Sequence, residues 1–499
     1  MPQKHKQAIG GVRYGKPRKT YLAKRGLRGY AGVWSLWALG VGAAVSGDFF
    51  GWHFGLEVGG FGGLLIASVI VAVMYLGLCC SVAEMSAALP YAGGAYAFAR
   101  AAMGPWGGFL AGISQTVAFV LLPAVIVVGI GGYLGAIFDT PDSFAPIWWL
   151  ATYAIFVGLN IWGAKIAFRA AVVLTLAALA ILAIFAVGAV PHFSWDMALD
   201  IAPDTVGGSS FLPGGVWGIA AALPFAIWFY LAVDQMPLAA EDAQDPGRDI
   251  PRGILLGFAT LTVTGMLVLF LAAGMAPGVA RLAGSKEPLF LGFQTIFGAG
   301  LDVKVLALIL LAAPVASFHA IVFAYGRNIY ALSRAGYFPR WLSITHDKHK
   351  TPHFALIAGA TIGYVASALI YFSEAIFGTP LVGAVLLNMA VFGAVISYAM
   401  QAMSFVMLRQ QLPDMARPFR SPLGEPGAWA ALIIALVTFV FLFAEPAYRP
   451  GAIGCAIWYA LALIYFAVHG RKALVLAPEE VAALEAYAAP PGKAMDAQG

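Results

Sequence analysis

The sequence predicts an all-α polytopic membrane protein with twelve transmembrane helices, the first and sixth of them broken. Three observations predict it. Of 499 residues, 61% are hydrophobic and 11% charged, whereas an ordinary soluble domain carries about a quarter charged residues. The apolar residues fall into repeated runs of the roughly 20 residues that cross a bilayer. All but four of the 29 Lys and Arg residues fall on one side of the resulting map, as the excess of basic residues in cytoplasmic loops requires. The same arithmetic excludes a disordered scaffold, a secreted disulfide framework and a nucleic-acid binder, because the net charge of +5 is small and is not arranged as a stripe. Cys79, Cys80 and Cys455 lie in apolar runs without metal-ligand spacing and read as small buried hydrophobes.

In chain order, residues 1–30 are basic and lack an apolar stretch followed by a small-residue cleavage site. They read as a juxtamembrane anchor held by anionic lipid rather than a signal peptide. Spans are expected near 31–57, 60–89, 107–137, 146–164, 168–190, 215–240, 253–276, 302–333, 354–373, 380–408, 428–445 and 452–469. The basic residues outside the positive side are Arg281, Lys286, Lys304 and Arg449, which puts both termini in the cytoplasm of a multi-pass inner-membrane protein. The tail, 470–499, contains a helix start at Pro478-Glu479-Glu480, with acids in the first turn and no expected chemistry.

Ionisable residues inside spans are costly and mark function. No Asp or Glu occurs before Asp48, which follows Gly40, Gly42 and Gly47 in the middle of span 1. Glycine costs about 1 kcal/mol against alanine in a helix interior, so a break is expected from Val45 to Asp48. In span 6, Pro224 and Pro237 bracket Asp234, and each proline removes a backbone donor. Spans 1 and 6 begin two five-span halves of opposite direction. Paired interruptions in inverted halves point to a secondary-transporter site at the bilayer midplane.

The segment E-M-S-A-A-L-P-Y-A-G-G-A-Y-A-F-A-R-A-A-M-G from Glu84 to Gly104, P-G-R-D-I-P-R-G within Glu241 to Gly253, and Y-G-R-N-I-Y-A-L-S-R-A-G-Y-F-P from Tyr325 to Pro339 together resemble the amino acid–polyamine–organocation (APC) transporter superfamily. The resemblance covers nearly the whole chain. It implies a five-plus-five inverted repeat as the transport core over 31–410 and two additional spans over 411–469. Ser46-Gly47-Asp48-Phe49-Phe50-Gly51-Trp52, followed by Phe54-Gly55-Leu56, looks most like the ethanolamine permeases, which more often have Asn at the position of His53. Amino acid permeases of the group usually show Gly-Ser-Gly at the first break, where this chain has Val45-Ser46-Gly47 and then a carboxylate. An anion there repels the acid group of an amino acid and favours a small ammonium compound that has none.

The expected substrate site comprises Ser46, Gly47, Asp48, Phe49, Trp228, Tyr230 and Asp234, with Phe50, Trp52, His53, Gln115 and His319 as further substrate or gate residues. Asp48 is expected either to contact the ammonium or to cap the half-helix that follows it. Asp234 aligns with a common glutamate of the family, which implies a gating or proton-linked role; direct substrate contact and a structural bond to backbone are the alternatives. Trp228, Tyr230 and the aromatics of span 1 suit a cation, which gains about 0.5–2 kcal/mol over a ring face. Gln115 and His319 either meet a substrate hydroxyl or bridge helices. Arg100, Arg327 and Arg334 are expected to pair with Glu84 or Glu241 at the inner gate. No metal or cofactor is expected, and the scattered ionisable residues lack the spacing of an embedded enzyme. The expected function is import of a small amine, ethanolamine first, by alternating access. An amino acid permease of the same fold is the alternative, and proton coupling, exchange and uniport all stay open.

Overall fold

Inside a bilayer a helix satisfies its backbone within its own segment, and each long apolar run of this chain takes that form. A computed structural model describes residues 12–488 except 16, 18, 204–207, 286, 299–301, 378–380, 445 and 447. The basic residues before Val12, together with Lys16, Arg18, Lys286 and Lys493, therefore lie outside the described residues.

Among the described residues, eleven helices are long and apolar enough to span a membrane: Phe54–Ala88, Ala95–Phe138, Asp142–Ile161, Ala164–His192, Gly215–Asp242, Pro246–Ala273, Val303–Arg334, His353–Ser373, Val382–Gln411, Gly424–Ala444 and Arg449–Lys472. They correspond in order to predicted spans 2 to 12 and are numbered accordingly. Predicted span 1 is divided into Val33–Ala44 and Ser46–Phe49, with an unwound stretch after Phe49 and a last helical piece at 54–59. That piece is separated from span 2 by Gly60, whose φ of 62° takes the chain out of helical geometry. Gly104, at φ 77°, likewise divides the helix of span 3, so the helical chain begins well before the expected start at 107.

Span 3 packs against spans 8 and 10, and span 2 against span 6. The packed interior contrasts with a rim of outward apolar side chains such as Val187 and Trp217, 76% and 78% exposed, as expected where the solvent is lipid.

One face gathers both chain ends. Tyr14–Gly15 pairs in parallel with Leu474–Val475, and the tail helix Pro478–Ala488 folds back beneath the spans. Glu480 is buried and accepts hydrogen bonds from Tyr14 (2.9 Å), Tyr96 (2.7 Å), Arg100 (2.5 Å) and Tyr337 (3.1 Å). Arg334 donates to Glu479 at 3.0 Å and to Glu241 at 2.6 Å. Arg327 pairs with Asp242 at 3.1 Å, and Glu84 with Arg409 and Arg417. Of the expected arginine partners, only Glu241 for Arg334 is formed. Arg100 is drawn instead to the returning tail, and Asp242, next to Glu241 at the end of span 6, takes Arg327.

Candidate functional site

The first break arises from an inserted hydroxyl. An unbroken helix would bond the Ser46 N–H to the Gly42 carbonyl four residues back. Here Ser317 of span 8 comes between them: its Oγ accepts the Ser46 N–H at 3.1 Å and donates to the Gly42 carbonyl at 2.8 Å. A side chain in the ladder is a recognised cause of a kink. Val45 itself keeps helical angles, so the expected break from Val45 to Asp48 is only a nick. The chain unwinds further on, where Phe50 is extended and Gly51 has φ 96°.

Span 6 runs as α-helix from Gly215 to Ala226, tightens to a 3₁₀ turn over Ile227–Phe229, opens at Tyr230 to Ala232 and resumes as 3₁₀ helix over Val233–Asp242. Ala232 sits at φ 71°, a left-handed conformation costly for a residue with a Cβ. Its freed N–H donates to the Tyr398 hydroxyl at 3.3 Å. Pro224 and Pro237 both lie inside helical segments, so they bracket the opening without forming it.

The two breaks cross in contact. A Cβ on Gly47 would lie 1.8 Å from the Trp228 carbonyl oxygen, and one on Gly51 would lie 2.5 Å from the Trp228 indole. Only glycine allows span 1 this close to span 6.

Three cavities run through the crossing. The one farthest from the chain-end face, about 220 Å³, is lined by Phe49, Phe50, Tyr133 and Glu287 among others. The central one, about 20 Å³, is lined by Ser46, Gly47, Phe50, Trp228 and the aliphatic chains of spans 3, 8 and 10. The third, about 10 Å³, lies toward the chain-end face and is lined by Gln115, Asp234, Ser397 and Tyr398. Phe50, Val125 and Ile126 separate the first two, and Leu122 and Leu231 the second and third. The two inner cavities are about the size of one water, so they admit nothing larger unless these side chains move. Among the described residues, the lining of the three contains two carboxylates, Glu287 and Asp234, and no basic side chain. Burial pushes the Glu287 carboxyl up from its ordinary value, against the opposing hydrogen bond with Tyr133.

Asp234 is the centre of a donor-poor cluster. Its Oδ2 accepts from Gln401 at 2.7 Å and from Gln115 at 3.5 Å, and Gln401 also donates to Ser397 at 3.2 Å. Asp234 Oδ1, Gln115 Oε1 and Gln401 Oε1 are buried acceptors with no donor among the described residues. Buried acceptors are normally satisfied, and a primary ammonium carries three donors and a positive charge.

Of the expected site residues, Ser46, Gly47, Phe49, Phe50, Trp228, Asp234 and Gln115 line these cavities. The others do not. Asp48 is one residue beyond Gly47, about 100° further around the helix. That rotation takes its carboxylate off the cavity and toward the Thr264 hydroxyl of span 7, with both oxygens buried. Tyr230 stacks on Tyr75 with ring centroids 4.9 Å apart. Trp52 donates to the Asp48 carbonyl at 3.1 Å and stacks on Phe229. The His53 ring contacts the Ser285 carbonyl at 2.8 Å, and His319 ties span 8 to the Ala167 carbonyl of span 5 at 2.8 Å. Sequence reasoning missed Gln401, Tyr398 and Ser317, polar residues of spans 10 and 8 that a closer search for side chains able to satisfy freed backbone groups would single out. It also missed Glu287, in a loop that hydropathy does not interrogate.

The amino acid permease family profile matches residues 35–472. An uncharacterised transporter of Rhizobium meliloti is 27% identical over 88% of this chain and 90% of its own length. The branched-chain amino acid permease BcaP of Bacillus subtilis is 23% identical over 90% of this chain and 94% of its own. The methylthioribose transporter of the same bacterium is 22% identical over 92% and 97%.

Proposed function

The chain belongs to the amino acid permease family, within the APC superfamily, and from that premise we propose that it imports a small amine, ethanolamine first among candidates, by alternating access. The observation that carries the proposal is the donor-poor cluster at Asp234, where a carboxylate and two amide oxygens face an ammonium-sized deficit of donors. A carboxylate at each end of the cavity chain and, among the described residues, no basic side chain in its lining favour a cation over a molecule that also carries an acid group. The amine enters past Glu287 and Phe50, crosses the contact between Gly47 and Trp228, and its ammonium settles on Asp234 with Gln115 beside it. Trp228 supplies a ring face to the passing cation. Spans 1 and 6 then rock against spans 3, 8 and 10, breaking Arg334–Glu241 and opening the face that carries the chain ends, a face whose basic loops support a cytoplasmic location.

A second reading has its own observation. Leu122, Val125, Ile126, Leu231, Ile321 and Leu387 line the central cavity, a surface that suits an aliphatic side chain, and the relative BcaP is named for branched-chain amino acids. In that case the backbone at Ser46 and Gly47 holds a carboxylate. Uptake of labelled ethanolamine into liposomes containing the protein separates the two. The amine proposal expects saturable uptake that excess leucine does not inhibit; uptake of leucine with no uptake of ethanolamine would favour the amino acid reading.

A further inference from the structure

On the chain-end face, away from the transport path, lies a cavity of about 640 Å³ whose wall includes Thr20, Tyr21, Lys24, Arg25 and Arg340. Three separate segments build it: the chain before span 1, the linker between spans 8 and 9, and the strand after span 12. Among the described residues its lining holds three cations and no carboxylate, and none of the three cations forms an ion pair.

Arg25 is fixed in place without being neutralised. It donates to Ser343 Oγ at 2.7 Å and to the carbonyls of Tyr21 and Arg340 at 2.9 and 2.8 Å, and its guanidinium lies 3.6 Å from the Tyr21 ring centroid. Burial lowers the affinity of Arg25 for its proton, Tyr21 and Tyr330 oppose that, and the neighbouring Arg340 charge adds to it. Glu479, an acid whose field reaches Tyr21, is already paired with Arg334. Like charges brought together by the fold, with no acid in the wall, leave a site whose missing component is an anion.

The surroundings indicate which anion. Trp341, next to Arg340, is 53% exposed and meets Phe354 edge-on at the start of span 9, with centroids 5.7 Å apart. Exposed tryptophan beside a span marks the headgroup level of a bilayer, and basic juxtamembrane clusters at that level attract anionic lipid headgroups. Guanidinium and ammonium groups together match a phosphate.

We propose that this cavity binds a phosphate group, supplied by the headgroup of an anionic phospholipid in the adjoining leaflet, and that the ligand ties the N-terminal segment to the loop after span 8 and the strand after span 12.

The test uses the full purified chain in neutral detergent and compares thermal stability with short-chain phosphatidylglycerol, short-chain phosphatidylcholine and inorganic phosphate. The proposal expects phosphatidylglycerol to raise Tm and phosphatidylcholine not to. In the double variant Lys24→Gln/Arg340→Gln the apparent affinity for phosphatidylglycerol falls about tenfold or more, as two charge-assisted contacts are lost. Both positions are exposed, and an unliganded Tm close to that of the parent shows that the double variant folds. Stabilisation by inorganic phosphate equal to that by phosphatidylglycerol supports the phosphate site and identifies a soluble ligand as its source. Equal stabilisation by the two lipids, or a phosphatidylglycerol effect unchanged in the double variant, overturns the proposal.

Discussion

Asp234 and Asp48 are both carboxylates inside spans, and their surroundings differ. Asp234 lines a cavity and is held by two glutamines, whereas Asp48 faces span 7 and lines none of the three cavities. Asp234→Asn is therefore expected to weaken amine binding about 10- to 100-fold, the range for losing a hydrogen bond to a charged group. Asp48→Asn should leave that affinity largely unchanged; equilibrium binding to both variants checks the pair. Gly47→Ala drives a methyl into the Trp228 carbonyl. It is expected to cost about 1–3 kcal/mol or more as overpacking against rigid backbone, read as a drop in Tm and loss of uptake. Scarcity of charge made both acids legible in the sequence. Which of them faces the cavity was not, because a rotation of one residue decides it and hydropathy carries no phase for a helix apolar on all sides.

At the level of elements, both interruptions were legible from glycine and proline density, but what makes them was not. Ser317, a long way along the chain from Ser46, creates the first irregularity by inserting its hydroxyl into the helix ladder, and no local pattern reports such a partner. Ser317→Ala leaves a buried N–H and a buried carbonyl unmatched, expected to cost about 1–3 kcal/mol and visible as a lower Tm, with Ser317→Thr restoring much of it. The tail helix was readable from its proline and acids, yet its burial was not, because its partners Arg100 and Arg334 come from spans 3 and 8. Glu480→Ala strands the buried Arg100 guanidinium, a change of the kind that costs about 3–5 kcal/mol. Faster tryptic cleavage after Arg471 and Lys472 is the expected sign. Burial raises Glu479 from the ordinary 4.5 to about 7, against the opposing pull of Arg334. At this one group the docked tail then holds more protons than the free one between those values, so the contribution of Glu479 to docking is full below about pH 4.5 and is lost as pH rises through about 7. Hydrogen exchange across 474–488, corrected for its intrinsic rate, should show less protection at about pH 8 than at about pH 6, and Glu479→Gln should flatten the difference.

The whole molecule is ordered by where its few charges sit. Arg100, Arg334 and Arg340 bond to the tail on the chain-end face, while among the described residues the cavity chain through the spans carries only Glu287 and Asp234. The membrane class and the order of spans followed from composition, because a bilayer imposes length and apolarity on every crossing. The path between them did not, since it is assembled from spans 1, 3, 6, 8 and 10, which only the fold brings together. The most direct test of an amine site at Asp234 is ligand-induced stabilisation of the purified protein, which reaches about 2.7 kcal/mol when a ligand is present at 100 times its Kd. Ethanolamine is predicted to raise Tm in the parent chain and not in Asp234→Asn, with leucine without effect on either; a rise with leucine and none with ethanolamine would contradict it.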